Sequence, residues 1–158
     1  MTERPAKENK TMHNPLAPRT IMVPMTADRP ARLALRASGQ MAREHGSRLI
    51  LAYVSSEPGH MEQIGFKLES LDQIRDRMEG ELGAIIQEEL GDLPHEAVAR
   101  VDDLGDGVVA LAQEHGVDLI VLETRPRSLL QRVFVPSVSA KVVHHAPCAV
   151  LVLPAASI

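Results

Sequence analysis

Aromatic residues are scarce in this chain of 158 residues, which has no tryptophan, one tyrosine and two phenylalanines. Proteins that bind single-stranded nucleic acid stack bases on aromatic side chains, so the composition argues against that class. A single cysteine excludes an internal disulfide framework and fits a reducing compartment. The sequence has no apolar run of membrane-spanning length and no hydrophobic signal core near residue 1. We therefore expect one cytoplasmic domain with an aliphatic core.

The charge balance limits the partners further. The net charge is −4, and because residues 1–19 carry +2, the remainder carries −6. An acidic surface repels DNA and anionic membranes, so we expect neither as a partner. Residues 1–18 are polar, contain three prolines and show no periodicity, which predicts a flexible tail before a folded domain at 19–158.

Five apolar segments alternate with four amphipathic ones. The predicted strands are residues 21–23, 49–54, 95–101, 118–122 and 148–153, and the predicted helices end near residues 45, 90, 115 and 145. The second strand is continuously apolar, which is typical of a parallel strand covered on both faces. The alternation predicts an α/β fold with a doubly wound, five-stranded parallel sheet, and we expect the strand order 3-2-1-4-5 with helices on both faces.

Three helix starts are predicted from local signals. Thr26 or Asp28 is expected to cap the first helix, with Pro30 in its first turn. Residues 103–107, which contain two glycines, are expected to form a turn before the third helix. The last helix is expected to begin at Val135.

A ligand site is expected where the order of the sheet reverses, because ligands of such sheets bind at the carboxyl ends of the flanking strands. Residues 24–29 and 123–132 would converge there. The second segment belongs to a long loop that leads from a buried strand into a helix N-terminus, an arrangement that favours anions. Such loops are usually rich in glycine, but residues 123–137 contain none. The architecture of a nucleotide site is therefore present without its usual chemistry.

Several segments resemble the universal stress protein family. Residues 21–25, Ile-Met-Val-Pro-Met, resemble its opening strand, and residues 145–153, His-Ala-Pro-Cys-Ala-Val-Leu-Val-Leu, resemble its closing signature. The helix-to-strand joints at 42–51 and 112–122 are also similar. The resemblance spans residues 19–153 and implies a Rossmann-like (adenine nucleotide alpha hydrolase-like) fold and a role in the stress response.

The nucleotide-binding branch of that family carries the pattern G-x2-G-x9-G-[S/T] after its fourth strand. With Ser137 on the last position, Glu123, Pro126 and Pro136 replace the three glycines, and Thr26 replaces an acidic residue. Proline has no N–H to donate to a phosphate, and Glu123 adds negative charge. We therefore expect a non-catalytic member of the branch without the glycine motif, with no cofactor.

The alternative is a nucleotide- or anion-binding protein, or a weak ATPase, with ATP and Mg²⁺ as its ligand. In that case Arg125 and Arg127 would replace the missing donors, because arginine recognises phosphate directly. Thr26, Ser137 and Val138 would complete the site. We favour the simpler interpretation, in which these arginines are solvated loop charges and Ser137 is a helix cap.

The last strand is expected at the edge of the sheet, where an apolar strand invites pairing with another chain. The resemblance likewise implies a homodimer formed through this strand. The predicted interface comprises Ala149, Val150, Leu151, Val152 and Leu153. We expect an additional protein partner whose identity the sequence does not indicate. Cys148 is expected to be an inert apolar residue, and no His/Cys spacing indicates a metal.

Overall fold

The computed structural model describes residues 14–56, 69–124 and 138–155. Within these ranges five strands alternate with four helices, which confirms the α/β class. The strands are β1 Thr20–Met25, β2 Arg48–Ser55, β3 Glu96–Val101, β4 Leu119–Thr124 and β5 Ala149–Pro154. The helices are α1 Arg32–His45, α2 Leu71–Leu90, α3 Leu104–Glu114 and α4 Val138–His145.

All strands are parallel, and their order is β3-β2-β1-β4-β5, as predicted. The central strand β1 is fully buried at Ile21, Met22 and Val23. One apolar cluster joins the sheet to α1 and α2, and a second joins its opposite face to α3 and α4. The order of the sheet therefore reverses between β1 and β4, with helices covering both faces.

The amino-terminal ends of β1 and β4 are joined by Asp118. Its buried carboxylate accepts hydrogen bonds from the backbone N–H groups of Arg19 and Thr20, both at 2.9 Å. Hydrogen bonds to an ionised acceptor are stronger than neutral ones, so the two strands are fixed relative to each other at this end. Their opposite, carboxyl ends are left to form the walls of a cleft.

The predicted cap of α1 is wrong. Residues 26–29 form a tight turn of their own. The Thr26 hydroxyl donates a hydrogen bond to the Asp28 carboxylate at 2.7 Å, and Thr26 forms an isolated antiparallel β-bridge with Arg29. The N-cap residue is Ala31, which has a left-handed backbone (φ 51°) and no side chain able to cap. Pro30 accordingly precedes the N-cap instead of lying in the first turn.

The predicted turn at residues 103–107 is also wrong, because α3 already begins at Leu104. Asp103 is its N-cap and accepts from the N–H groups of Gly105 and Asp106. The glycines serve packing: a β-carbon at Gly107 would lie 2.6 Å from Val54, and one at Gly105 would lie 2.7 Å from Lys141. Both allow α3 to approach its neighbours closely.

Strands β1 and β4 each end two residues later than predicted. β1 continues through Pro24 to Met25, and β4 includes Glu123 and Thr124, which the sequence had assigned to the loop. In the described ranges no helix combines the length and apolar character needed to cross a membrane. The predicted start of α4 at Val135 falls outside the described residues.

Candidate functional site

A cleft of about 250 Å³ lies at the carboxyl ends of β1 and β4, where the sheet reverses its order. Its apolar walls come from both strands, from β2 and from helices α3 and α4. Among the described residues these are chiefly Met25, Val54, Val108, Leu122 and Val138. Its polar groups, in the part of the lining that the structure describes, are Thr26, Asp28, Arg29, Glu123 and Ser139. This is the position that the predicted topology assigns to a ligand.

Two of the five predicted ligand-binding residues are described, and the structure brings both to this cleft. Thr26 follows β1, and Val138 is the first residue of α4. Arg125, Arg127 and Ser137 lie outside the described residues, so their predicted roles stay predictions. The cleft was therefore predicted correctly from the positions at which β1 ends and α4 begins.

The side chain of Glu123 caps the N-terminus of α1, which faces the cleft. Its Oε2 atom accepts hydrogen bonds from the backbone N–H groups of Leu33 at 2.8 Å and Ala34 at 3.2 Å. The first N–H groups of a helix have no partner within the helix and attract anions, and here a carboxylate of the same chain takes that role. The sequence predicted negative charge near the site, but not that Glu123 would cap a helix 90 residues away.

The described charged groups of the cleft are two carboxylates and one guanidinium. Asp28 accepts from the Thr26 hydroxyl and lies 4.0 Å from the Arg29 guanidinium. Glu123 provides a second carboxylate. Two carboxylates and one guanidinium among its described lining disfavour a multiply charged anion.

The adjacent carboxylates Asp102 and Asp103 lack the arrangement of an acid–base pair. Asp102 binds Arg100 at 3.1 Å, whereas Asp103 caps α3 and binds Lys141 at 3.0 Å. The hydrogen bond from Lys141, and then that from the backbone of Asp106, lower the pKa of Asp103. Over the described ranges, no group of three or more His, Cys, Asp or Glu residues is placed to hold a metal ion.

A second cleft, of about 430 Å³, borders the first. Thr26, Asp28, Val54 and Leu104 line both, and Tyr53 lines the second one. Tyr53 was not among the site residues predicted from the sequence. The available signal was its position as the one tyrosine of the chain within an otherwise aliphatic strand.

Strand β5 lies at the edge of the sheet, as predicted, beside β4. Leu151 and Val152 are each 37% exposed, so the edge is apolar and accessible. The strand begins at Ala149, one residue later than predicted. Cys148 is half-buried, and burial raises the pKa of its thiol to about 11, which agrees with the inert role expected of it.

Comparison with known proteins gives one consistent result. The sequence profile of the Universal stress protein family matches residues 18–154. A universal stress protein of Synechocystis sp. is 26% identical over 137 residues, which cover 86% of this chain and 85% of that protein. A universal stress protein of Methanothermobacter thermautotrophicus is 46% identical over 54 residues, a match spanning 34% of this chain and only 36% of the relative.

Solved structures agree on the fold. A crystal structure of a universal stress protein in complex with cAMP superimposes with a TM-score of 0.61 at 22% sequence identity. The match covers 89% of this chain and 99% of that one. At this level of identity, the superposition shows that the two chains share a fold and no more.

Proposed function

The chain belongs to the universal stress protein family, and on that premise we propose that it is a non-catalytic, homodimeric module of the stress response whose cleft does not hold ATP firmly. The observation that carries the second part is the contact of Glu123 with Leu33 and Ala34. A carboxylate already uses the N–H groups at the head of α1 and places its own charge in the cleft wall. A triphosphate entering there would meet like charge.

The loop sequence supports the same conclusion. Glu123, Pro126 and Pro136 stand where the nucleotide-binding branch of the family has glycines. Each hydrogen bond from the protein to a charged phosphate contributes about 1.5–3 kcal/mol. The loss of two or three such donors would weaken binding by several orders of magnitude. No cofactor is needed for a module that acts by contact with other proteins.

Calorimetry with ATP and Mg²⁺ tests this part of the proposal. The wild-type chain should show no saturable binding at micromolar ligand. The Glu123→Gln variant tests the electrostatic argument, because it retains a hydrogen-bond acceptor and removes the charge. We expect its ATP affinity to rise above that of the wild type. Micromolar binding by the wild-type chain would overturn the proposal.

Dimerisation is supported by the exposed apolar side chains of β5. An edge strand presents unpaired backbone groups, and a second copy can satisfy them by pairing with it. Leu151→Asp should convert a dimer to a monomer in sedimentation equilibrium. Leu71→Asp is the matched control, since Leu71 is 52% exposed on α2, away from this edge. A wild-type chain that sediments as a monomer would exclude the dimer.

The second candidate function is binding of a nucleotide or another anion, with or without weak ATP hydrolysis. The binding residues would be Thr26, Arg125, Arg127, Ser137 and Val138. What favours it is that a solved relative of the same fold holds cAMP. Saturable binding of ATP with Mg²⁺ that disappears in Arg125→Ala/Arg127→Ala would support this candidate over the first.

We propose that the module acts in the cytoplasm. It would bind a protein partner in addition to its second copy, and it would contact neither nucleic acid nor membranes. The single cysteine and the acidic net charge of −4 support this assignment. Fractionation of cells that express a tagged chain would test it, and recovery in the membrane fraction would contradict it.

A further inference from the structure

The five histidines of the described ranges all lie along one border of the protein. They are His45 at the end of α1, His95 before β3, His115 after α3, and His144 and His145 at the end of α4. The strands are parallel, so these helix ends and strand starts share the amino-terminal side of the sheet, opposite the clefts. We call this border the amino-terminal rim. Neither cleft has a histidine among its described lining residues.

The imidazoles of the rim are accessible. Four of the five residues are exposed, and His115 is half-buried. The Nδ1 atom of His95 lies 3.2 Å from the carbonyl oxygen of Leu93. Because the described ranges place no three potential ligands around one point, the rim is a row of separate ionisable groups and not a metal centre.

The charged groups beside these histidines leave the rim slightly acidic at neutral pH. The same helix ends and strand starts carry three described guanidiniums, those of Arg19, Arg43 and Arg48. They also carry five described carboxylates, those of Glu44, Asp92, Glu96, Glu114 and Asp118. The excess of negative charge is therefore small, and a few added protons reverse it.

Two further cations border the rim but are already paired. Lys141 of α4 is held by two carboxylates at the start of α3, both at 3.0 Å. Arg100 of β3 is shared between Asp102 at 3.1 Å and Glu114 at 2.6 Å. New positive charge at the rim therefore comes from the histidines as the pH falls.

Acidification converts the rim into a cationic surface. Histidine is the side chain whose charge changes between about pH 5 and pH 8, and five imidazolium groups outnumber the excess carboxylates. The first cleft keeps the carboxylates of Asp28 and Glu123 in its described lining. The two ends of the sheet then differ in the sign of their charge.

We infer that the amino-terminal rim is a pH-dependent docking surface for an acidic protein segment, which binds when the pH falls to about 5.5 and is released near neutral pH. Charge complementarity supports this partner, because it speeds association and selects against partners of like charge. The inference rests on the proposed role as a module that binds another protein, and it gives that partner its chemistry. Its test involves neither ATP nor the β5 edge, so either part can fail without the other.

The test uses the full chain and a fluorescent oligo-aspartate peptide, whose carboxylates stay ionised at about pH 5.5. Fluorescence anisotropy should show binding at least about tenfold tighter at this pH than at about pH 7.5, and added salt should weaken it. Equal affinity at the two pH values would overturn the inference. Tighter binding to phosphatidylserine vesicles than to the peptide would also overturn it, since the partner would then be a membrane.

Substitution of His45, His144 and His145 together locates the effect. With glutamine at all three positions (His45→Gln/His144→Gln/His145→Gln), most of the pH dependence should disappear. With lysine (His45→Lys/His144→Lys/His145→Lys), the charge is permanent and the chain should bind the peptide at neutral pH as well. The three positions are exposed, and urea unfolding checks that each variant retains wild-type stability. A glutamine variant with the full wild-type pH dependence would contradict the inference.

A matched control separates the rim from net charge. The variant Asp72→Asn/Asp76→Asn/Glu79→Gln removes three negative charges from the exposed face of α2, as the lysine variant adds three positive ones. This part of α2 borders the second cleft and is distant from the rim. We expect the control not to bind the peptide at neutral pH. Equal binding by the control and the lysine variant would show that net charge alone suffices, and the inference would fail.

Discussion

The carboxylate of Glu123 on β4 accepts a 2.8 Å hydrogen bond from the backbone N–H of Leu33 on α1. Ninety residues of sequence separate the two partners. A helix is usually capped by the residue just before it, but Ala31 has no polar side chain and leaves that position without a local cap. The sheet therefore supplies the cap of its neighbouring helix, and the same carboxylate sets the charge of the cleft.

Removing this cap should destabilise the chain. We expect Glu123→Ala to lower the free energy of unfolding by about 1 kcal/mol, the usual cost of a lost helix cap. Glu123→Gln should cost less, because its amide oxygen still accepts while only the favourable charge–dipole interaction is lost. Urea denaturation measures both, with Asp92→Ala in an exposed turn as the control. Wild-type stability of Glu123→Ala would show that the contact does not act as a cap.

Two glycines in helix interiors should respond to alanine with opposite signs. A β-carbon at Gly107 would lie 2.6 Å from the stiff, branched side chain of Val54, so Gly107→Ala should destabilise by about 1–3 kcal/mol. Gly80 in α2 has open space around that position, so Gly80→Ala should stabilise by about 0.5–1 kcal/mol. Thermal and urea unfolding of the two variants give the comparison. A stabilised Gly107→Ala variant would contradict the close packing of α3 on the sheet.

The ion pair between Lys141 and Asp103 should make stability depend on acidic pH. Lys141 lowers the folded-state pKa of Asp103 below its ordinary value of 3.8. The stabilising contribution is therefore complete above the ordinary value and disappears as the pH falls through the lower, folded pKa. Lys141→Met keeps the aliphatic stem over Gly105 and removes the charge, so its unfolding free energy should decline less steeply below about pH 5. Urea titrations at several pH values test this, and identical slopes would refute it.

Cys148 should react slowly with alkylating reagents in the folded protein. Burial raises its thiol pKa from the ordinary 9.0 to about 11, so at neutral pH the reactive thiolate is about 100-fold less abundant. Alkylation by iodoacetamide should accelerate continuously as the pH rises towards 11. In urea, where the burial is lost, the rate should return to that of a free thiol. Rapid alkylation of the folded chain at neutral pH would show that the thiol is accessible and activated.

Much of the fold could be predicted because its signals are local. The apolar run that contains Leu51 and Tyr53 indicated a strand covered on both faces, and Gly46 ended the preceding helix where expected. The misplaced start of α3 has a physical cause. Gly105 and Gly107 are typical turn residues, and the sequence cannot reveal that they instead make room for Lys141 and Val54.

The site was predictable in position but not in chemistry. The carboxyl ends of β1 and β4 follow from topology, whereas Thr26 and Val138 were singled out through the resemblance to the family motif, and both line the cleft. The cap formed by Glu123 depends on a contact between segments far apart in sequence, for which periodicity carries no signal. The same is true of Tyr53, whose missing hydrogen-bond partner becomes visible only when its surroundings are known.

The left-handed backbone of Ala31 gives the Glu123 contact one more consequence. An L-residue with a β-carbon adopts that conformation at a cost of about 1–2 kcal/mol, and Ala31 does so beside the cleft, immediately before α1. The hydrogen bonds from Leu33 and Ala34 to Glu123 hold the helix that this bend leads into. The strained residue and the capping carboxylate therefore act on the same end of α1, at the wall of the cleft.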